Sequence, residues 1–241
     1  MIIDIHNIIG HHKYKPFVSA ESLIAQMDQA GVDKAGGFFY AESMDNAYIE
    51  ASMKRYPERL IGLYTVNPWA ENCEADLEDA ISNRGFRGLR LDPVRHGYAL
   101  NEHQIVYPLI DVCQKLHVPV WCYGAADVFS TPILFAPIAE KYPDVDIILG
   151  AMGFTYDASS AAGVAQRFKN VYLDTSGCMT SNVQRALKNA GPRNTVMGTA
   201  TPEWGYFELE MKKIQQSSAD AETVALMMGG NAARIFHVEE R

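Results

Sequence analysis

Met1-Ile2-Ile3-Asp4-Ile5-His6-Asn7-Ile8 reads as a short apolar strand running into a loop, and the segment after it decides the fold. Ser19-Ala20-Glu21-Ser22-Leu23-Ile24 continues to Ala30-Gly31 with a polar cap, Leu23, Ile24 and Met27 on one face, and a glycine stop. Apolar strand-like runs alternate with helix-period segments in this way eight times along the chain, the pattern of βαβ units around a parallel sheet. Strands are expected near 1–8, 34–40, 59–66, 86–92, 118–123, 145–151, 170–175 and 194–199. Further helices fit Glu74–Asn83, His103–Leu116, Ile133–Lys141, Val183–Ala190 and Phe207–Gln216, with Pro108 inside its helix and Pro57, Pro143 and Pro192 near boundaries.

At 241 residues the chain has the usual length of one (β/α)8 barrel. The expected class is therefore α/β, a TIM barrel forming one domain over 1–241. A hydrophobic fraction of 48% beside 21% charged residues allows a large buried core. The net charge of -8 gives no basic footprint for nucleic acid. No apolar run approaches the roughly 18 residues of a membrane span, and the N-terminus starts in a strand, so a cytoplasmic protein without membrane partners is expected. Cys73, Cys113, Cys122 and Cys178 form no Cys-x-x-Cys pair and read as buried thiols. Cys122 should point away from the barrel axis if Tyr123 points toward it.

Five stretches in order resemble the amidohydrolase-related branch of the amidohydrolase superfamily. Asp4-Ile5-His6-Asn7-Ile8 is similar to its Asp-x-His-x-His opening, whose two histidines hold a divalent metal, with Ile8 in place of the second. Val118-Pro119-Val120-Trp121-Cys122-Tyr123 resembles the fifth strand, with Tyr123 in the slot of a metal-binding His. Ile147-Ile148-Leu149-Gly150-Ala151-Met152-Gly153 resembles the sixth, with Ala151 in the His slot. Val196-Met197-Gly198-Thr199-Ala200-Thr201-Pro202 is similar to Gly-[Ser/Thr]-Asp-x-Pro, with Ala200 replacing the Asp that is ligand and general base. Gly230-Asn231-Ala232-Ala233-Arg234-Ile235-Phe236 matches the closing helix.

Activation of water by a metal needs about three or four fixed ligands, and Ile and Ala supply none. The resemblance thus implies a degenerate metal site and no cofactor. A rebuilt site, holding a divalent metal such as zinc on His6 with His11, His12 or His96, is the alternative.

Without a metal, catalysis falls to acids, bases and oriented donors at the C-terminal end of the barrel. His6 should project into the mouth as its family counterpart does, where an imidazole suits proton transfer; the other reading is a satisfied core histidine. In Arg87-Gly88-Leu89-Arg90-Leu91-Asp92-Pro93, Arg90 and Asp92 share one strand parity and Leu89 and Leu91 the other. Arg90 could grip a substrate carboxylate, with Asp92 as orienter or base; alternatively the two form an ion pair, or Asp92 caps the turn before Pro93. Tyr123 could donate to a carbonyl or developing oxyanion, or simply fill volume. Asn67, His96, Glu203 and Trp204 are candidate substrate contacts, as are the aromatics Trp69, Phe39 and Tyr40. Asp174, which resembles the family's seventh-strand ending, is read as structural.

The leading expectation is a hydrolase-like enzyme of this fold, metal-independent, acting on a small carboxylic acid, lactone or related carbonyl compound. Against it stand a non-catalytic ligand- or partner-binding barrel, and a metal-dependent hydrolase or decarboxylase with a rebuilt site. Relatives commonly dimerise, which makes a homodimer the expected assembly.

Overall fold

The strands are β1 (Ile3–Ile8), β2 (Lys34–Phe38), β3 (Leu60–Gly62), β4 (Tyr64–Thr65), β5 (Leu89–Leu91), β6 (Val120–Tyr123), β7 (Ile147–Gly150), β8 (Val171–Asp174) and β9 (Thr195–Val196). They come from a computed structural model that describes residues 1–11, 16–38, 44–125, 128–203 and 205–238. Between and after them lie α1 (Ala20–Ala30), α2 (Asn46–Arg55), α3 (Cys73–Arg84), α4 (Pro93–His96), α5 (His103–Leu116) and α6 (Ala136–Lys141). α7 (Ala158–Arg167), α8 (Thr180–Asn189), α9 (Phe207–Ser217), α10 (Ala221–Ala225) and α11 (Asn231–Ile235) follow. Every strand pairing is parallel, as βα alternation requires.

The third expected strand, 59–66, is split at Leu63. Its N–H donates to Gly37 O at 3.3 Å, whereas Tyr64 N–H donates to Gly88 O at 2.9 Å, so the run leaves β2 and joins β5 at this residue. On the other side the barrel closes through Ile5 N–H to Met197 O (3.0 Å), Ala200 N–H to His6 O (2.9 Å) and Ile8 N–H to Thr201 O (3.3 Å). The eight expected strands are all present, and the fold is a TIM barrel.

Local signals set the helices. Ser19 accepts the N–H of Ser22 at the start of α1, and Gly31 ends it at φ 72°, a left-handed conformation that glycine adopts without a Cβ penalty. The expected helix from Ile133 instead divides into a 3-10 turn, Pro132–Phe135, followed by α6. Pro137 in the first turn of α6 explains this, because a residue without an N–H fits only where no intrahelical bond is required. Pro108 stands inside α5, as expected. None of the described helices is long and apolar enough to cross a membrane.

Strand register sorts side chains into an inner and an outer set. Thr65, Arg90, Trp121, Ile148 and Tyr172 lie in one row. Of these, Trp121, Ile148 and Tyr172 pack with Ile3, Ile5, Phe38, Ile61, Leu63 and Val196 inside the barrel, where α11 adds Ile235 and its C-cap residue Phe236. Leu89, Leu91, Val120, Cys122, Ile147 and Leu149 belong to the layer shared with the outer helices, which places Cys122 as its parity predicts. Each fully buried side chain of this size stabilises the fold by about 1.5–3 kcal/mol relative to exposure. Gly150 has a steric purpose: a Cβ there would lie 2.4 Å from the Trp121 ring, so its absence lets the indole lie across β7.

Candidate active site at the barrel mouth

β1 and β8 bring His6 and Asp174 together at their C-terminal ends. His6 Nδ1 lies 2.9 Å from Asp174 Oδ2 and 2.8 Å from Ser176 Oγ, with His6 2% exposed and Asp174 fully buried. The other contacts of Asp174 all come from donors: Trp121 Nε1–H at 3.3 Å and Ala151 N–H at 3.1 Å reach Oδ2, and Ser176 N–H at 2.9 Å reaches Oδ1. Burial alone would push the Asp174 carboxyl up. The positive His6 ring and the N–H donors outweigh it and hold the group below the usual carboxylate range. An ionised carboxylate can only accept, so Nδ1 carries a proton directed at Asp174, and Nε2 is the ring nitrogen turned away from it. This is how a carboxylate prepares a histidine for proton transfer or ligation through its other nitrogen.

The backbone around this pair is bent to serve it. Ala151 and Ala200 adopt left-handed conformations, φ 54° and 56°, rare for residues with a Cβ. Both place their N–H groups on the pair, Ala151 on Asp174 and Ala200 on the His6 carbonyl. Conformations of this kind cost on the order of 1–3 kcal/mol and cluster at functional sites. Gly198 completes the packing, since a Cβ there would overlap Asp174 Oδ1.

Phe38 and Trp121 join the His6 pair to the second charged pair. The His6 ring centroid is 5.3 Å from that of Phe38 and 4.8 Å from that of Trp121, and the Arg90 guanidinium carbon is 4.5 and 5.4 Å from the same two rings. Arg90 Nη2 donates to Asp92 Oδ2 at 2.9 Å, with the residues 3% and 4% exposed. Asp92 Oδ1 meanwhile accepts Arg95 N–H and caps α4, so the ion pair and the cap are both real. Among the described residues, Arg90 Nε and Nη1 have no hydrogen-bond partner, and neither has Thr65 Oγ1 beside it in the sheet.

The other expected site residues are arranged less centrally. Tyr123 is half-buried, its ring 6.4 Å from those of Trp121 and Phe154. Asn67 Oδ1 accepts Trp69 N–H, and Trp69 Nε1 donates to His96 O at 2.7 Å, which latches the loop after β4 to the end of α4. Glu203 is half-buried in a turn, its N–H bonded to Ala200 O. Trp204, Phe39, Tyr40 and His12 lie outside the described residues. Asp174, expected to be structural, stands against His6 Nδ1, and Ser176, Phe38 and Trp121 join the cluster without having been singled out from the sequence. Trp121 shares the parity of Tyr123, and Ser176 that of Asp174; that alternation was the available signal. A broad groove of about 1270 Å³ opens at the opposite end, lined by Asp28, Lys34, Glu58, Arg59 and Arg84 among others. Its charges are mostly tied in ion pairs such as Arg59–Asp28, and the N-terminal end of such barrels serves stability, so chemistry rather than cavity size locates the site.

Two further carboxyls titrate unusually. Burial raises Asp4 to about 6 although Thr199, the His6 N–H and Asn7 all donate to it. Burial, reinforced by the charges of Asp174 and Asp4 and opposed by Lys213, raises Glu210 to about 7. A carboxyl that holds its proton more tightly when folded gives stability that is present at low pH and lost as pH rises to the folded pKa. In urea unfolding, the stability of wild type minus that of Glu210→Gln should fall by about 2 kcal/mol between pH 4.5 and pH 7.5. A rise over that range would reverse the assignment.

A family model described as Amidohydrolase matches residues 8–238. The chain belongs to the amidohydrolase family. No curated protein matches it in sequence. Among solved structures, this amidohydrolase-family chain is similar to 2,6-dihydroxybenzoate decarboxylase from Rhizobium, with a TM-score of 0.79, 13% identity and 99% of each chain covered. It is also similar to a dihydroxybenzoic acid decarboxylase from Polaromonas sp. JS666 with bound manganese and 2-nitroresorcinol (TM-score 0.78, 16% identity, 100% of this chain and 98% of that one). A third is a probable 2-pyrone-4,6-dicarboxylic acid hydrolase from Acinetobacter baumannii with citric acid bound (TM-score 0.73, 15% identity, 98% and 99%). At these identities the likeness establishes the fold.

The bound manganese corrects the expectation that no cofactor belongs on this frame. Counting lost ligands against one motif set could not show that a barrel of this family works without a metal. Among the described residues, no three His, Cys, Asp or Glu side chains converge as a metal-binding group. His6 Nδ1 is held by Asp174 and Ser176, and Asp4 by its own donors. The described donors therefore do not fit a complete metal centre.

Proposed function

We propose that this amidohydrolase-family protein is an enzyme acting on a small carboxylic acid or lactone, with His6 as the group that moves a proton. The observation that carries the reading is the clamp of Asp174 and Ser176 on His6 Nδ1 at the C-terminal end of the barrel, which fixes the ring and assigns proton transfer to Nε2. Arg90 is the carboxylate-binding residue: its Nε and Nη1 are uncommitted among the described residues while Asp92 fixes its orientation, and a guanidinium fork matches a carboxylate. Phe38 and Trp121, which touch both His6 and Arg90, support a flat, unsaturated substrate held between cation and base. Tyr123 polarises the carbonyl, Asp92 orients Arg90, and Asn67, His96 and Glu203 form the rim. The similar structures named above include decarboxylases and a probable hydrolase of carboxylic acids, which favours this substrate class.

Calorimetric titration and turnover assays with 2,6-dihydroxybenzoate and 2-pyrone-4,6-dicarboxylate, each with added manganese and after chelation, test the proposal. Binding should weaken about tenfold or more in Arg90→Lys, which keeps the charge and loses the fork. Turnover should vanish in His6→Ala. Wild-type protein that binds no acid of this class, or turnover that survives His6→Ala, would defeat it. Metal content measured by mass spectrometry on both proteins shows at the same time whether His6 holds an ion.

A further inference from the structure

Behind the His6 clamp lies a buried ion pair that the proposed chemistry does not use. Glu210 and Lys213, on α9, are each 7% exposed and bonded to one another. Lys213 Nζ also donates to Thr175 O at 2.7 Å, and Cys178 N–H reaches the same carbonyl at 3.3 Å. Thr175 stands between Asp174 and Ser176, the two residues that hold His6 Nδ1. β8 ends at Asp174, so the sheet ladder does not extend to Ser176. The Thr175 N–H is tied to Val196 O at 3.1 Å, and its carbonyl is tied from the outer helix layer by Lys213.

Stability alone does not account for such a pair, because well-packed apolar side chains in place of a buried ion pair are often neutral or stabilising. Its value lies in direction: an ammonium donating to one carbonyl, with a carboxylate holding the ammonium, fixes a segment that apolar packing would let slide.

We propose that Lys213, held by Glu210, is a positioning residue that sets the Asp174-Thr175-Ser176 segment so that both side chains reach His6 Nδ1. The proposal rests on the reading of His6 as the proton-transfer group only for its functional meaning. Its test needs no substrate.

Nuclear magnetic resonance of protein labelled with nitrogen-15 in histidine reads the His6 ring directly. The wild-type ring should show a downfield Nδ1–H proton and a non-protonated Nε2. In Lys213→Met, the Nδ1–H resonance should be lost or move markedly upfield, with circular dichroism reporting an intact fold. Lys213→Arg, which can still reach Thr175 O, should restore it. A brace that acts only on stability would leave the ring signals unchanged in folded Lys213→Met, and that result overturns the proposal. Should Lys213→Met fail to fold, Glu210→Gln takes its place: faster exchange of the Nδ1–H supports the proposal, and unchanged exchange overturns it. Ring signals that move as expected in a protein that turns over no acid would refute the enzymatic reading and leave the positioning intact.

Discussion

Asp174→Asn should lower turnover of the proposed acid or lactone substrates by about 10³–10⁴-fold while leaving the fold in place. The carboxylate accepts from His6 Nδ1, Trp121 Nε1, Ala151 N–H and Ser176 N–H. An amide at this position must aim its NH2 group at donors or turn it to His6. In the second case Nδ1 becomes the acceptor, the ring proton moves to Nε2, and the nitrogen facing the reaction is no longer basic. The effect should therefore fall on kcat more than on KM, because the guanidinium of Arg90, proposed above to bind the carboxylate, is untouched. Steady-state kinetics of the variant check this, and a loss confined to KM would mean that His6 binds substrate rather than moving a proton.

Asp92→Ala should destabilise the protein by about 3–5 kcal/mol. Arg90 is 3% exposed, and Asp92 is the carboxylate that neutralises it. The faces of Phe38 and Trp121 remain near the guanidinium, but cation-π contacts of about 2 kcal/mol do not offset an unpaired buried cation. Loss of the α4 cap adds about 1 kcal/mol. The melting temperature should drop by roughly 10 °C for a chain of this size. Arg90→Met combined with Asp92→Ala should recover most of the loss, because the buried charge leaves with its partner. Urea midpoints of Asp92→Ala, Arg90→Met and the double variant measure the coupling. A single-variant loss below about 1 kcal/mol would show that water or a ligand reaches Arg90 when Asp92 is gone.

The two predictions concern residues of unequal legibility. Arg90 and Asp92 were visible because they are charged residues on the inner parity of a strand end, where burial needs a partner or a purpose. Their mutual bond and the capping of α4 were both foreseen as alternatives, and the structure contains both. His6 was visible through a motif. Asp174 had the same strand-end placement, yet its partner lies 168 residues away, and no local pattern encodes that contact. The cofactor expectation failed on other ground: it was read from residues missing at a few motif positions, and a similar barrel carries bound manganese.

Sequence by itself determined the alternation of strands and helices, the limits of α1 and α5, and which side of β5 and β6 faces the barrel interior. Those features follow from periodicity, caps and glycine stops within a dozen residues. Only the tertiary structure decided that His6 is clamped by Asp174 and Ser176, that Arg90 shares Phe38 and Trp121 with it, and that Lys213 reaches Thr175. The reason is geometric. Closing the barrel through β1 and the segment after β9 converts strand-end parity into a ring of side chains. Which members of the ring touch depends on register and twist, and those arise only when distant strands pair.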